Sequence, residues 1–224
     1  MFVKARVFRV FVQPRQVFRE LLDQPDVLTP FLLFLGSQLL WLLTGSSEIT
    51  GLLKEQLAAA GVGVKDLPLA LWGIVAIILL TGTGLISILS LFINTLFLIG
   101  FSRIVGMEIS FPFSASLIAY SQMPLVLRNV INAGYTLITR SLFPPLPLPF
   151  GILIPEVSGI LRSALEHFDI FLFWDYIILG LGLRVASPHK AGKVWAVFLL
   201  FVLTNVFLSF LFPSPLKSSS LFIH

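Results

Sequence analysis

Apolar residues in this chain gather into long runs separated by short polar or proline-bearing turns. Runs of this length at helical spacing predict helices that cross a membrane, each needing about 17–25 residues. The first is Thr29–Thr44, TPFLLFLGSQLLWLLT, which becomes long enough when taken from Val27 to Gly45. Trp41 near its far end suits an interfacial aromatic belt. Ser46–Leu67 follows as a polar connection with a helical middle at Leu52–Ala60. Leu67–Ile104 is the longest run. As one helix it would measure roughly 55 Å, well beyond a hydrocarbon core of about 30 Å. The alternative is two short spans hinged at Thr81-Gly82-Thr83-Gly84.

Ser110–Ile138 is the third span, and Pro124 inside it predicts a kink that frees a carbonyl near Tyr120. Arg140–Arg162 is rich in proline (PPLPLPFGILIP) and reads as a broken, re-entrant or interfacial segment. Glu166–Val185 is the span the chain is organised around, because it carries Asp169 and Asp175 in an apolar run. A basic turn, Ser187–Lys193, leads to the last span, Val194–Phe212. The expected fold class is all-α: a polytopic helical membrane protein of five transmembrane helices with an N-terminal amphipathic interfacial helix. Its parts are a cytosolic basic arm (1–28), a transmembrane domain (29–213) and a flexible tail (214–224).

In the arm, Pro14 suits the first turn of a helix. Val17, Phe18, Leu21 and Leu22 recur at helical spacing, with Arg15, Arg19, Glu20 and Asp23 on the other face. Such a helix lies in the headgroup plane, which makes the lipid bilayer, through anionic headgroups at this arm, the first expected partner. A possible homo-oligomer is the second.

Composition supports this reading. Of 224 residues, 57% are hydrophobic and 12% charged, against about 25% charged in soluble domains. The absence of cysteine excludes disulfides, thiolate catalysis, cysteine–zinc sites and palmitoylation. A net charge of +4 carried beside apolar runs points to a membrane surface and not to nucleic acid. With five spans, Lys4, Arg6, Arg9, Arg15, Arg19, Arg103, Arg184, Lys190 and Lys193 fall on the amino-terminal side. Lys54, Lys65, Arg140, Arg162 and Lys217 fall on the other. Nine against five places the amino terminus in the cytoplasm, and it favours one long helix over two because Arg103 then joins the basic side.

Deep charge is the candidate chemistry. A charge at the bilayer centre costs about 2.5–3.5 kcal/mol on insertion scales and so needs a partner. Arg128 lies roughly 15 Å from the outer end of its span and Asp175 roughly 12 Å from the outer start of the next. That predicts an Arg128–Asp175 ion pair, with Asn132 on the Arg128 face at i, i+4. Asp169 is expected near the outer interface, served by Arg140, Arg162 or headgroups. Gly182 shares a face with Asp175 and would let a neighbouring helix approach closely. The structural reading is an ion pair that fixes helix register. The functional alternative is an ion or proton pathway, or a solute transporter, through Arg128, Asp169, Asp175 and His167. Asp169 and Asp175, six apart on one helix, point to different faces and cannot act as a proton-sharing pair of a protease. Glu166, His167 and Asp169 diverge too much to hold a metal. No phosphate loop, HExxH or GxSxG occurs, so no enzyme activity, catalytic residue, cofactor or metal is expected.

Three segments in order resemble the Ypt-interacting-protein (YIP) domain family. They are PRQVFRELLDQP before the first span; AYSQMP with Tyr120, Ser121 and Pro124; and FDIFLFWDYIILGLGLR with Asp169, Phe171, Trp174, Gly180 and Gly182, followed by Lys190-Ala191. The resemblance covers about residues 8–212 and implies a non-enzymatic five-span membrane protein with a cytosolic amino terminus. Tyr120, Pro124, Trp174, Gly180 and Gly182 are the family-motif residues it marks. Eukaryotic members act in Golgi and endoplasmic-reticulum trafficking with Rab GTPases as partners. This chain lacks their long hydrophilic amino-terminal region and their Asp-Leu-Tyr-Gly-Pro type segment, so the resemblance does not extend to a GTPase partner. It is closest in form to the short prokaryotic branch, which implies the plasma membrane.

Overall fold

The computed structural model describes residues 3–59, 61, 69–140, 169–187 and 191–211. Among them the secondary structure is helical: α1 (Val3–Val12), α2 (Pro14–Asp23), α3 (Leu28–Thr44), α4 (Ser46–Ala59), α5 (Leu69–Ile104), α6 (Phe111–Ser121), α7 (Met123–Thr139), α8 (Ile170–Ala186) and α9 (Ala191–Leu211). Most of the proline-rich segment, residues 141–168, lies outside the described residues, as does the tail at 214–224. So do Glu166, His167 and much of the basic turn.

α8 is the hub, packing against α2, α6, α7 and α9. α6 is the most enclosed element: every residue from Phe113 to Ser121 is buried. α3 lies along α7, while α5 meets α3, α6 and α9. The core joins Phe18, Leu21, Leu117, Tyr120, Ile178 and Leu183. By contrast α5 turns Ile74, Ile77, Ile78, Leu85, Ile86, Phe92 and Ile93 outward. So large an apolar face belongs in lipid. The protein is a helical integral membrane protein.

Gly73–Ile104 of α5 and Ala191–Leu208 of α9 are long and apolar enough to cross a membrane. α3 with Ile49–Ala59 makes a third candidate if that pair, bent by 60°, is one span. α3 and α8 have 17 residues each, about 25 Å at 1.5 Å per residue. Among the described residues, the expected five spans are therefore not reached on helix length alone.

The long run is a single helix. Thr81, Thr83 and Ser87 each return their hydroxyl to the carbonyl four residues back, at 2.7–2.8 Å. Polar groups at the expected hinge are thereby satisfied inside the helix, and nothing breaks it.

Two expectations are corrected. The span through Pro124 is broken, not kinked. α6 ends at Ser121, and Pro124 occupies the first turn of α7, where a missing N–H leaves nothing unpaired. The Gln122 N–H is shared between the Ile118 and Tyr120 carbonyls, which answers the carbonyl freed near Tyr120. The arm also differs. It is two helices meeting at Gln13, and Val17, Phe18 and Leu21 are fully buried. The apolar face expected to meet lipid packs on α8 and α6 instead. Protein is available there because Gly182 leaves room: a Cβ at that position would collide with Leu117 and come within 3.2 Å of the Phe18 ring.

Candidate functional site: a polar layer through the bundle

α8 begins at Asp169, whose backbone is extended (φ −116°, ψ 170°). Its Oδ1 accepts the N–H groups of Phe171 and Leu172, both at 2.8 Å. A helix start leaves four N–H groups unsatisfied, and an aspartate at this position supplies what they lack. The second oxygen, Oδ2, accepts Arg128 Nη1 at 2.9 Å. One carboxylate thus caps α8 and pins it to α7.

The expected Arg128–Asp175 pair is not the one formed. Arg128 takes Asp169, where Arg140 was one expected partner, and Arg162, another, lies outside the described residues. The physical reason is the cap. Asp169 precedes the helix instead of lying on it, so depth and face arithmetic drawn along an unbroken helix misplaces it. Asp175 is buried beside Ser121, within Coulombic reach of both Arg128 and Asp169. Ser121 itself donates to the Ile118 carbonyl at 3.0 Å.

Asn132 is buried on α7, yet among the described residues its Oδ1 has no hydrogen-bond partner, nor does Oγ1 of Thr136 one turn later. The amide that works is Asn129, which donates to Ser37 Oγ on α3 at 3.1 Å. Ser37 in turn donates to Phe34 O at 2.7 Å. Its neighbour Gln38 shares the Ser87 hydroxyl of α5, 2.7 Å from Gln38 Oε1, with the Thr83 carbonyl. Polar contacts therefore link α5 to α3, α3 to α7 and α7 to α8. The sequence places Asn129 beside Arg128 after Pro124 without giving it a partner, and Ser37-Gln38 inside an apolar run is the kind of signal that marks such a contact.

A second cluster holds the arm. Tyr120, fully buried on α6, donates to Asp26 Oδ2 at 3.0 Å. Asp26 Oδ1 accepts the Thr29 N–H at 3.2 Å at the start of α3. On the other side of the arm, Glu20 receives Arg6 Nε at 3.0 Å and Arg9 Nη2 at 2.8 Å. Arg6 also reaches the Gln24 carbonyl and side chain. The Arg9 hydrogen bond, with help from Arg6, holds the Glu20 carboxyl below the usual glutamate range.

The remaining motif residues are packing positions. Trp174 meets the Phe11 ring edge-on at 5.3 Å between centroids, tying α1 to α8. Gly180 faces the Phe198 ring of α9, 3.5 Å from where a Cβ would sit. Among the described residues no group of histidines and carboxylates could hold a metal ion.

Residues 8–212 match the family model described as the Yip1 domain. No curated protein and no solved structure matches the chain. A family model spanning nearly all of the sequence, on a helical membrane bundle whose motif residues form its joints, places the chain in the Yip1 domain family.

Proposed function

We propose that this protein is a non-enzymatic scaffold of the plasma membrane that organises or shapes the bilayer through its basic arm and through self-association. In this reading α3, α5, the α6–α7 pair, α8 and α9 are the five spans, and the arm lies in the cytoplasm. The observation that carries it is the docked arm. α1 and α2 are fastened to the bundle by Phe18 against Gly182, by Tyr120 to Asp26 and by Phe11 on Trp174. Their outer side carries Phe8 and Val12, 75% and 80% exposed, with Arg15 and Arg19 also exposed. Exposed apolar side chains beside guanidiniums form a membrane-contacting surface. The topology is supported by Lys193 Nζ, which donates to Gly106 O at 3.2 Å and joins the α5–α6 turn to the start of α9. The direct Arg128–Asp169 contact favours a joint between helices over an ion pathway.

The test is reconstitution of the full chain into vesicles of phosphatidylcholine and phosphatidylglycerol at rising protein density. Cryo-electron microscopy should show vesicle diameter falling or tubules forming as density rises. A pH-sensitive dye inside the same vesicles should report no proton flux, with or without Asp175→Asn. Vesicles of unchanged size, or a flux removed by that substitution, would overturn the reading.

A further inference from the structure

The four arginines of the arm divide into two pairs with different occupations. Arg6 and Arg9 are used inside the arm by Glu20. Arg15 and Arg19 are exposed and form no ion pair among the described residues. One helical turn apart on α2, they project from the same face. That face borders an open cleft of about 530 Å³ where α1 gives way to α2, lined by the apolar Val12, Pro14 and Leu181 and by the polar Gln13, Arg15, Gln16 and Arg19. The cleft therefore combines two guanidiniums and the amides of Gln13 and Gln16 with an aliphatic wall of Val12, Pro14 and Leu181. Val12 continues into the exposed Phe8 one turn back along α1.

The geometry points to a discrete site for an anionic phospholipid: its phosphate sits between Arg15 and Arg19, and its acyl chain lies along Val12 and Leu181. This rests on the reading of the arm as a membrane-contacting element and narrows it from a diffuse basic surface to one seat. Charge complementarity selects an anionic headgroup, since planar guanidiniums match phosphate oxygens in pairs. The apolar wall selects a lipid over a free anion. No carboxylate lines the cleft to oppose the phosphate.

Native mass spectrometry of the full chain, released from nanodiscs of phosphatidylcholine with one-fifth phosphatidylglycerol, reads the site directly. The wild type should retain phosphatidylglycerol in excess of its share of the bilayer. A juxtamembrane arginine changes membrane affinity about fivefold, so Arg15→Gln with Arg19→Gln should lower retention about 25-fold. Arg15→Lys with Arg19→Lys should restore part of it. Arg103→Gln, exposed at the end of α5 and outside the cleft, is the control and should retain the lipid. Equal retention by the double glutamine variant and the wild type overturns the site. So does a loss matched by Arg103→Gln, which would mean diffuse charge only. Displacement of the lipid by millimolar inorganic phosphate would also overturn it, as an anion site without lipid selectivity. Vesicle shaping is measured separately, so a normal effect on vesicles with no retained lipid removes this site while leaving the proposed function standing.

Discussion

Replacing Arg128 by leucine should destabilise the bundle, and replacing Asp169 by asparagine in the same chain should restore most of the loss. Removing one partner of a fully buried ion pair costs about 3–5 kcal/mol, because the other charge is stranded. An exposed pair is worth about 0.2–1 kcal/mol. The Arg128 and Asp169 side chains are 28% and 13% exposed, so the expected cost of Arg128→Leu lies between those limits, at about 2–3 kcal/mol. Asp169→Asn strands the guanidinium but keeps an oxygen for the Phe171 and Leu172 N–H groups. Asp169→Ala removes both functions and should cost about 1 kcal/mol more, the worth of the cap. The coupling in the Arg128/Asp169 cycle should be about 1–3 kcal/mol, and larger than in the Arg128/Asp175 cycle. Equilibrium unfolding in mixed detergent micelles, followed by tryptophan fluorescence with Trp174 on the capped helix, supplies the four free energies. Additive costs for Arg128 and Asp169, or stronger coupling to Asp175, would refute the argument that the cap decides the partner.

Four further outcomes follow from the joints. Gly182→Ala should destabilise by about 1–3 kcal/mol as Leu117 and Phe18 are displaced, whereas Gly180→Ala, with only an ordinary contact to Phe198, should stay within about 0.5 kcal/mol by thermal unfolding. Tyr120→Phe deprives the Asp26 carboxylate of its buried hydroxyl donor and should cost about 1–3 kcal/mol, with increased proteolysis at the arm as the readout. Because Glu20 is held below its ordinary range in the folded protein, its contribution is complete above the unfolded glutamate value and is lost as pH falls through the lower folded value. Arm protection from protease should therefore drop on acidification past that point, and Glu20→Gln should flatten the profile. Finally, the native chain has no cysteine, so single cysteines at Arg19, Glu108 and Gln56 can be probed with an impermeant thiol reagent. The first two should label from the cytoplasmic side and the third from the other, and labelling of all three from one side would remove the proposed topology.

Much was legible in the sequence because lipid imposes a simple rule. Apolar runs of spanning length must be helices, and polar residues inside them need partners. That rule located the helices, marked Arg128, Asp169 and Asp175 as one constellation, and identified Gly182 as a point of close approach. It also preferred one long helix over two, from the position of Arg103. What it did not reach depends on where helices begin and end. The apolar runs put Pro124 and Asp169 within spans, yet each sits at a helix start. Moving Asp169 out of the helix turns its carboxylate toward Arg128 and leaves Asp175 to Ser121. The arm shows the same division. Its amphipathic face is plain from spacing, but spacing cannot distinguish lipid from a protein groove as the apolar surface it meets. Only the packing of α2 over Gly182, with Tyr120 reaching Asp26, decided that this face belongs to the protein and left Arg15 and Arg19 free.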